Sequence, residues 1–160
     1  MNHDTYSDAY IRGILARYRI IAMVGASPNT SRPSYFAMKY LKQKGFRVIP
    51  VNPGQSGKEI LGEKVYASLA DIKEKVDIVD IFRSSQAALG ITKDAIKLGA
   101  KVVWMQLGVR NDEAARLADE LEALPEPPVP EPPRRRGLGA LIAVAALAGF
   151  GLIALDLWAF

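Results

Sequence analysis

The chain has 160 residues, a length that allows one domain and some additional sequence. Hydrophobic residues make up 49% and charged residues 24%, as in ordinary globular proteins, and the net charge is +4. Basic and acidic residues are interleaved before the C-terminal tail, so we do not expect nucleic acid as a partner. Cysteine is absent and the single histidine is His3, which excludes or nearly excludes disulfides, Cys/His metal sites and Cys- or His-based catalysis.

The first third of the chain predicts a helix, a strand, a helix and a strand. Apolar residues at helical spacing predict an amphipathic helix over residues 8–18. A short β-branched run that ends in glycine predicts a buried strand over residues 19–25. Helical spacing returns from Ser34 to Gly45, and residues 46–54 predict a second strand that closes in an Asn-Pro-Gly turn.

The middle of the chain is less regular before it returns to the same alternation. Residues 54–76 predict a loop with a short extended piece near Lys64–Tyr66 and a short helix around Leu69–Lys75. Residues 76–82 are apolar and β-branched again and predict a third strand. A helix from Ser85 to Leu98 follows, and a glycine ends it.

Residues 101–108 predict a fourth strand, after which Asn111 or Asp112 caps a last amphipathic helix. Because strands alternate with helices, we predict an α/β fold with a parallel sheet and helices on both faces. Right-handed crossovers make this a doubly wound, Rossmann-like sheet.

The composition changes near residue 123, and this change divides the chain into three parts. We predict that residues 1–123 form the Rossmann-like domain and that 124–136 form a linker rich in proline and arginine. We predict that 137–160 form an apolar C-terminal helix that anchors the chain in a membrane. Residues 137–155 carry no charge, and 19 helical residues at about 1.5 Å each span nearly 30 Å. The alternative is a buried soluble helix. The preceding arginines predict a cytoplasmic domain at the inner membrane, and no secretory signal opens the chain.

Polar and glycine residues directly after each predicted strand form the candidate site, because open parallel sheets bind ligands at the carboxyl ends of their strands. The candidates are Gly25, Ala26, Ser27, Arg32, Pro33, Ser34, Asn52, Pro53, Phe82, Arg83, Ser84, Trp104, Gln106 and Gly108. Each has a structural explanation when taken singly: a tight turn, a solvated surface charge or a place in the core. Together they supply backbone N–H groups near a helix N-terminus, two guanidinium groups and an aromatic plane, which suit a pyrophosphate joined to adenine.

NAD fits this pattern poorly. The loop after the first strand reads G-A-S-P-N-T-S-R-P and lacks the later glycines of G-x-G-x-x-G. The second strand ends in Val-Asn-Pro, where an acidic residue would hold the ribose of NAD. A phosphate-binding loop of the Walker A type is also absent from the sequence. Arginine in place of an acid favours a nucleotide that carries an additional phosphate.

Four stretches carry a family resemblance: "VGASPNTSRPSYFAMKYLKQKGFRVIPVNPG", "LGEKVYASLADI", "VDIVDIFRSS" and "AKVVWMQLGVRNDEAA". They resemble the small stand-alone bacterial CoA-binding domain proteins and, more distantly, the CoA-binding domain of succinyl-CoA synthetase α subunits. The resemblance covers roughly residues 7–122. It implies a Rossmann-like fold that binds coenzyme A through the Gly25–Ser27 loop, Arg32, Asn52-Pro53, Phe82-Arg83 and the Trp104–Gly108 turn. The arginines would then bind the 3′-phosphate and the pyrophosphate.

The chain departs from this family after its last predicted helix. Family members continue into a further strand with a segment resembling "DRC", whereas here the proline-rich linker follows, so the final strand is missing and the fourth predicted strand becomes an edge. No nucleophile lies beside a base, which favours a binding module over an enzyme. The alternatives are a subunit or remnant of a CoA-ligase-type or NADP-dependent enzyme, and an interaction protein with a vestigial pocket.

Overall fold

The structure is a computed structural model and describes residues 6–119. In chain order its elements are α1 (Asp8–Arg17), β1 (Ile20–Val24), α2 (Pro33–Gln43), β2 (Arg47–Val51), β3 (Glu59–Ile60), β4 (Glu63–Lys64), β5 (Ile78–Ile81), α3 (Ser85–Leu98), β6 (Val102–Met105) and α4 (Asp112–Asp119). Short 3₁₀ turns follow β2 and β4 at Pro53–Gln55 and Leu69–Asp71.

Four parallel strands form the main sheet in the order β2-β1-β5-β6. The chain moves outward from β1 to β2 and then returns to the other side of β1 to form β5 and β6. The strand order therefore reverses between β1 and β5. This reversal is the switch point at which open parallel sheets leave a crevice above their carboxyl ends.

Apolar side chains cover both faces of the sheet. On one face Ala22, Ile49, Val79 and Ile81 pack with Ala95 of α3. On the other face Met23 and Val48 pack with Met38 of α2, and Ile21 and Ile78 pack with Ile14 of α1. The predicted α/β fold, with a parallel sheet between helices, is confirmed.

The bounds of most helices follow the sequence prediction because their ends are set by local signals. The α3 helix spans Ser85–Leu98 as predicted, and Gly99 ends it in the left-handed region at φ 80°. At the start of α4 the side-chain oxygen of Asn111 accepts a hydrogen bond from the Ala114 N–H at 2.8 Å. Of the two proposed caps for this helix, Asn111 is therefore the one that makes the capping bond.

The segment between β2 and β5 differs from the prediction. The extended piece is one strand of a two-stranded antiparallel hairpin, β3–β4. The helix predicted around Leu69–Lys75 is only the 3₁₀ turn Leu69–Asp71, and Ile72 already has ψ 123°. Both Ile72 and Val76 are buried in the core cluster between the sheet and α3. An extended backbone lets both side chains reach that core, which explains the short turn.

In the described part of the chain β6 pairs only with β5 and forms one edge of the sheet. The predicted linker 124–136 and the predicted apolar helix 137–160 lie outside residues 6–119, and the domain division stays a prediction. None of the helices within residues 6–119 combines the length and the apolar character needed to cross a bilayer.

Candidate functional site

Gly25 lies at the switch point, directly after β1. Its backbone has φ +92°, and its N–H donates a hydrogen bond to the Val51 carbonyl oxygen at 2.9 Å. The carbonyl oxygen of Phe82 and the Cδ atom of Arg83 occupy the space that a Cβ on residue 25 would need. Glycine adopts this positive φ without strain and has no Cβ to overlap those atoms. The loops that follow β1 and β5 can therefore touch at this position.

Asn52, the residue after β2, joins its own loop to the loop after β1. Its side-chain N–H donates to the Ala26 carbonyl oxygen at 2.7 Å, and its side-chain oxygen accepts from the Gly54 N–H at 2.9 Å. Both polar atoms of this amide are therefore used within the protein. Asn52 shapes the site rather than presenting a free amide to it.

The loop between Ala26 and α2 is built from short side-chain-to-backbone turns. The Ser27 hydroxyl accepts from the Asn29 N–H at 3.2 Å, and the Asn29 side-chain oxygen accepts from the Ser31 N–H at 2.9 Å. These turns place Arg32 at the N-cap of α2 and Pro33 at its first position. Arg32 makes no side-chain cap, so the first N–H groups of this helix lack a side-chain acceptor and suit an anion.

A cleft of about 250 Å³ lies between α3, the carboxyl ends of β1 and β2, and residues 67–69; we call it the α3 cleft. Its lining residues are Val24, Gly25, Val51, Asn52, Pro53, Ala67, Ser68, Leu69, Arg83, Ala87, Ile91 and Asp94. Four of the residues predicted from the sequence line it: Gly25, Asn52, Pro53 and Arg83. Three of the four predicted clusters therefore meet in one place.

Sequence reasoning missed two walls of the α3 cleft. The first is the segment 67–69, which lies within the stretch "LGEKVYASLADI" and contains none of the predicted binding residues. The second is the face of α3 that carries Ala87, Ile91 and Asp94. These three residues are four and three positions apart, the spacing of one helix face, and that spacing was the available signal.

The two arginines of the site differ from Arg47 and Lys42 in their electrostatic surroundings. Arg47 pairs with Glu74 at 2.5 Å, and Lys42 pairs with Glu63 at 2.6 Å. Arg32 and Arg83 are exposed, and neither has an acidic partner among residues 6–119. Their positive charge is therefore left for solvent or for an anionic ligand.

Two predicted aromatic residues do not line the α3 cleft. Trp104 packs with Ile14, Ile21 and Ile78 on the α1 side of the sheet, and Phe82 packs with the cluster around Met38. The aromatic plane expected for adenine is therefore not part of this cleft. Its apolar walls are aliphatic instead, supplied by valine, leucine and isoleucine side chains.

The remaining predicted residues do not line the cleft. Ser34 is buried in the first turn of α2, and Ser84 is the N-cap of α3. Gly108 adopts φ +83° in the turn after β6. The side-chain N–H of Gln106 donates to Asp80 at 2.8 Å, so Gln106 is engaged away from the cleft.

Asp80 is a buried carboxyl group on β5. Burial raises its pKa to about 7, and the hydrogen bond from Gln106 offsets part of that increase. Asp80 does not line the α3 cleft, and its Cα neighbours in the sheet are Met23 and Trp104. Within residues 6–119 no group of three or more His, Cys, Asp or Glu side chains could hold a metal ion.

A parallel sheet with a glycine turn at its switch point defines the Rossmann-like class of α/β folds. A family model described as "CoA binding domain" matches residues 19–126, and the chain belongs to that family. The resemblance drawn from the sequence is thereby confirmed.

Two curated relatives match this chain over different shares of their own length. The uncharacterized protein YneT of Bacillus subtilis (strain 168) is 38% identical over 114 residues, which cover 71% of this chain and 83% of that protein. The ADP-forming acetate–CoA ligase of Methanocaldococcus jannaschii is 30% identical over 81 residues, or 51% of this chain. Those residues make up only 11% of the ligase.

Similar solved structures also include one chain that is matched over most of its length and one much longer chain that is matched over a small part. A hypothetical protein from Pyrococcus horikoshii OT3 is 45% identical with a TM-score of 0.70, and the match covers 76% of this chain and 84% of that chain. The dinucleotide-forming acetyl-coenzyme A synthetase 1 of Ca. Korarchaeum cryptofilum is 28% identical with a TM-score of 0.54. That match covers 64% of this chain and 24% of the synthetase chain.

Proposed function

We propose that this protein binds coenzyme A, or an acyl-CoA, at the carboxyl edge of its sheet and acts as a non-catalytic nucleotide-binding module. The observation that carries the proposal is the placement of Arg83. Its side chain lies across Gly25 at the switch point and also lines the α3 cleft. A guanidinium without an acidic partner at this position suits the phosphates of a nucleotide.

The size of the α3 cleft supports binding of the adenosine end of CoA rather than the whole molecule. Its volume is about 250 Å³, below the roughly 300–1,000 Å³ of pockets that bury drug-sized ligands. Aliphatic walls from Val24, Val51, Leu69 and Ile91 suit the faces of a purine. The phosphates would meet the Gly25–Ser27 loop, Arg83 and Arg32, and the pantetheine arm would extend beyond the cleft.

The polar groups of the cleft favour binding without catalysis. Asn52 uses its side-chain amide to hold two loops together, and the Ser68 hydroxyl donates to Asp71 at 2.8 Å. No lining residue is a histidine, a lysine or a cysteine. The cleft therefore lacks a nucleophile that is paired with a general base.

Isothermal titration of the full chain with CoA, dephospho-CoA, NAD and NADP tests the proposal. CoA should bind at least about tenfold more tightly than dephospho-CoA, because a charge-assisted contact to the 3′-phosphate is worth roughly 1.5–3 kcal/mol. NADP binding without CoA binding would support a dinucleotide enzyme and exclude our proposal. Equal affinity for CoA and dephospho-CoA would remove the proposed contact to the 3′-phosphate.

Similarity to an acetate–CoA ligase and to an acetyl-coenzyme A synthetase favours a second candidate. In that case the chain would be the CoA-binding part of a ligase-type assembly whose catalytic groups lie on another polypeptide. The test is purification of the tagged full chain together with its bound partners. A co-purified polypeptide that forms ATP from acyl-CoA, ADP and phosphate only when this chain is present would establish the second candidate.

We also propose that residues 137–155 anchor the domain to the cytoplasmic face of the inner membrane. The support is sequence alone: this stretch has no charged residue and follows three consecutive arginines. The full chain should sediment with membranes and require detergent for release. Ala146→Arg places a charge at the middle of the stretch, which costs about 2.5–3.5 kcal/mol in a membrane span, and should shift the chain to the soluble fraction. A wild-type chain that is soluble and monomeric without detergent would exclude the anchor.

A further inference from the structure

The α3 cleft contains four polar side chains that could contact a ligand: Asn52, Ser68, Arg83 and Asp94. The first two are already engaged, since Asn52 joins two loops and Ser68 bonds to Asp71. Arg83 has no acidic partner in the described part of the chain. Asp94 is therefore the second side chain, after Arg83, whose polar atoms remain open to the cleft.

Asp94 and Arg83 lie at opposite ends of the α3 cleft. Arg83 precedes α3 and lies over Gly25, whereas Asp94 is in the third turn of the helix. Ala87, Ile91 and Asp94 share one face of α3, and at a rise of about 1.5 Å per residue Asp94 lies roughly 10 Å further along the helix than Ala87. The cleft thus has a cationic end and an anionic end, separated by aliphatic walls.

Among residues 6–119, the ionic contact that Asp94 makes leaves its carboxylate available. Lys97 approaches it at 3.5 Å, and the side chains of Lys97 and Asp94 are 79% and 60% exposed. Exposed ion pairs of this kind contribute little free energy. A carboxylate has about four acceptor positions and no donor when it is ionised, so it can still accept hydrogen bonds from a ligand.

We infer that Asp94 is a specificity-determining residue that makes the cleft select adenine over 6-oxopurines. The inference rests on the proposed function, with the phosphates at the Arg83 end and the base between Leu69 and Ile91. The base then presents its 6-substituent toward Asp94. The 6-amino group of adenine is a donor and matches the carboxylate. The 6-oxo group of hypoxanthine or guanine is an acceptor, and it would leave two acceptors facing each other.

Titration of the full chain with adenosine 3′,5′-bisphosphate and with inosine 3′,5′-bisphosphate tests this inference. The two ligands carry the same phosphates and differ only in the base, which has a 6-amino group in adenine and a 6-oxo group with a protonated N1 in hypoxanthine. The wild-type chain should bind the adenine ligand about tenfold more tightly, as expected for one hydrogen bond to a charged group. Asp94→Asn should reduce this preference to about threefold or less, because an amide offers both a donor and an acceptor.

Two control variants separate base selection from general effects. Glu113→Gln makes the same carboxylate-to-amide change on α4 and should keep the wild-type preference. Arg83→Ala should weaken both ligands by the same factor and leave their ratio unchanged. These results together assign base selection to Asp94.

The outcomes that overturn the inference also show whether the proposed function survives. If the wild-type chain binds CoA but Asp94→Asn keeps the wild-type ratio, the role of Asp94 is wrong and CoA binding stands. The same conclusion follows if wild-type protein does not distinguish the two bisphosphates. If a folded wild-type chain, judged by circular dichroism, binds neither CoA nor either bisphosphate, both proposals are wrong.

Discussion

The side-chain amide of Asn52 donates a hydrogen bond of 2.7 Å to the carbonyl oxygen of Ala26, which lies in the loop after the neighbouring strand. The same side chain accepts a hydrogen bond from the Gly54 N–H at 2.9 Å. One residue therefore fixes the loops after β1 and β2 relative to each other. The shape of the α3 cleft depends on this connection, because both loops contribute to its lining.

Asn52→Asp should weaken both the fold and CoA binding. The carboxylate keeps the acceptor for Gly54 but faces the Ala26 carbonyl oxygen without a donor. Loss of this hydrogen bond should lower the free energy of unfolding by about 1–3 kcal/mol, measured by urea denaturation. The CoA dissociation constant should rise by about tenfold or more, since the new negative charge also lies near the proposed phosphate position.

Asn29→Asp is a matched control for Asn52→Asp. It makes the same change in charge within the loop that follows β1, but only the side-chain oxygen of Asn29 makes a hydrogen bond there, to the Ser31 N–H. A carboxylate can accept that bond, so the unfolding free energy should stay nearly unchanged. Equal losses of stability for both variants would mean that charge, and not the bond to Ala26, accounts for the effect of Asn52→Asp.

Gly25→Ala should destabilise the protein by at least about 2 kcal/mol. The backbone at φ +92° is strained for any residue with a Cβ, at a cost of roughly 1–3 kcal/mol. In addition, the new methyl group would overlap the Phe82 carbonyl oxygen and force the loops after β1 and β5 apart. Thermal unfolding measures the effect, and CoA affinity should fall with it.

Gly90→Ala provides the comparison for Gly25→Ala. Gly90 lies within α3, and nothing is within 4 Å of a Cβ placed there. The same substitution at this helical position should raise the unfolding free energy by about 0.5–1 kcal/mol. If Gly25→Ala were as stable as wild type, the close approach of the two loops would not be a constraint on the fold.

Arg83→Ala and Arg32→Ala should each raise the CoA dissociation constant by about tenfold or more, because each removes a charge-assisted contact to a phosphate. Arg83→Lys should recover only part of the affinity, since an ammonium group cannot form the two parallel bonds of a guanidinium. Lys101→Ala removes an exposed cation directly before β6, at the amino ends of the strands, and should leave CoA affinity unchanged. Unchanged CoA affinity in both arginine variants would show that the site assignment is wrong.

Much of the fold could be predicted because its signals are local. Gly99 at the left-handed end of α3 and the β-branched runs of the four main strands depend only on neighbouring residues. The 3₁₀ turn at Leu69–Asp71 could not be predicted in the same way. Its length depends on how Ile72 and Val76 reach a core that is assembled from distant parts of the chain.

The candidate site was predictable in its location but not in the orientation of its side chains. Parallel strands buried on both faces are apolar throughout, so their pattern does not tell which face Trp104 occupies. The pairing register with β5 places it on the α1 side of the sheet. Likewise, the contribution of Asp94 depends on how α3 packs beside residues 67–69, which no short stretch of sequence specifies.

Asp80 should make the protein less stable as the pH rises from about 4 to 7. Burial raises its pKa to about 7 in the folded state, whereas an unfolded aspartate titrates near 3.9. In this range the folded state holds the proton and the unfolded state releases it, so stability decreases with pH. The total loss is on the order of 2–4 kcal/mol, since one pKa unit corresponds to about 1.4 kcal/mol. Urea denaturation at a series of pH values measures it.

Asp80→Asn isolates the contribution of Asp80, and Asp77→Asn tests a second carboxyl group whose pKa shifts in the opposite direction. Asp80→Asn can still accept the hydrogen bond from Gln106 and does not ionise, so it should be more stable than wild type at pH 8 and equal to it near pH 4. Burial of Asp77 also favours its neutral form and raises its pKa. Hydrogen bonds from the Arg19 and Ile20 N–H groups and the Lys75 ammonium group outweigh this effect, so the pKa of Asp77 is lowered. Asp77 therefore stabilises the fold above about pH 4 and loses that effect as the pH falls, so Asp77→Asn should be less stable than wild type at pH 8. Parallel stability curves for wild type and Asp80→Asn across this range would show that Asp80 does not retain its proton in the folded protein.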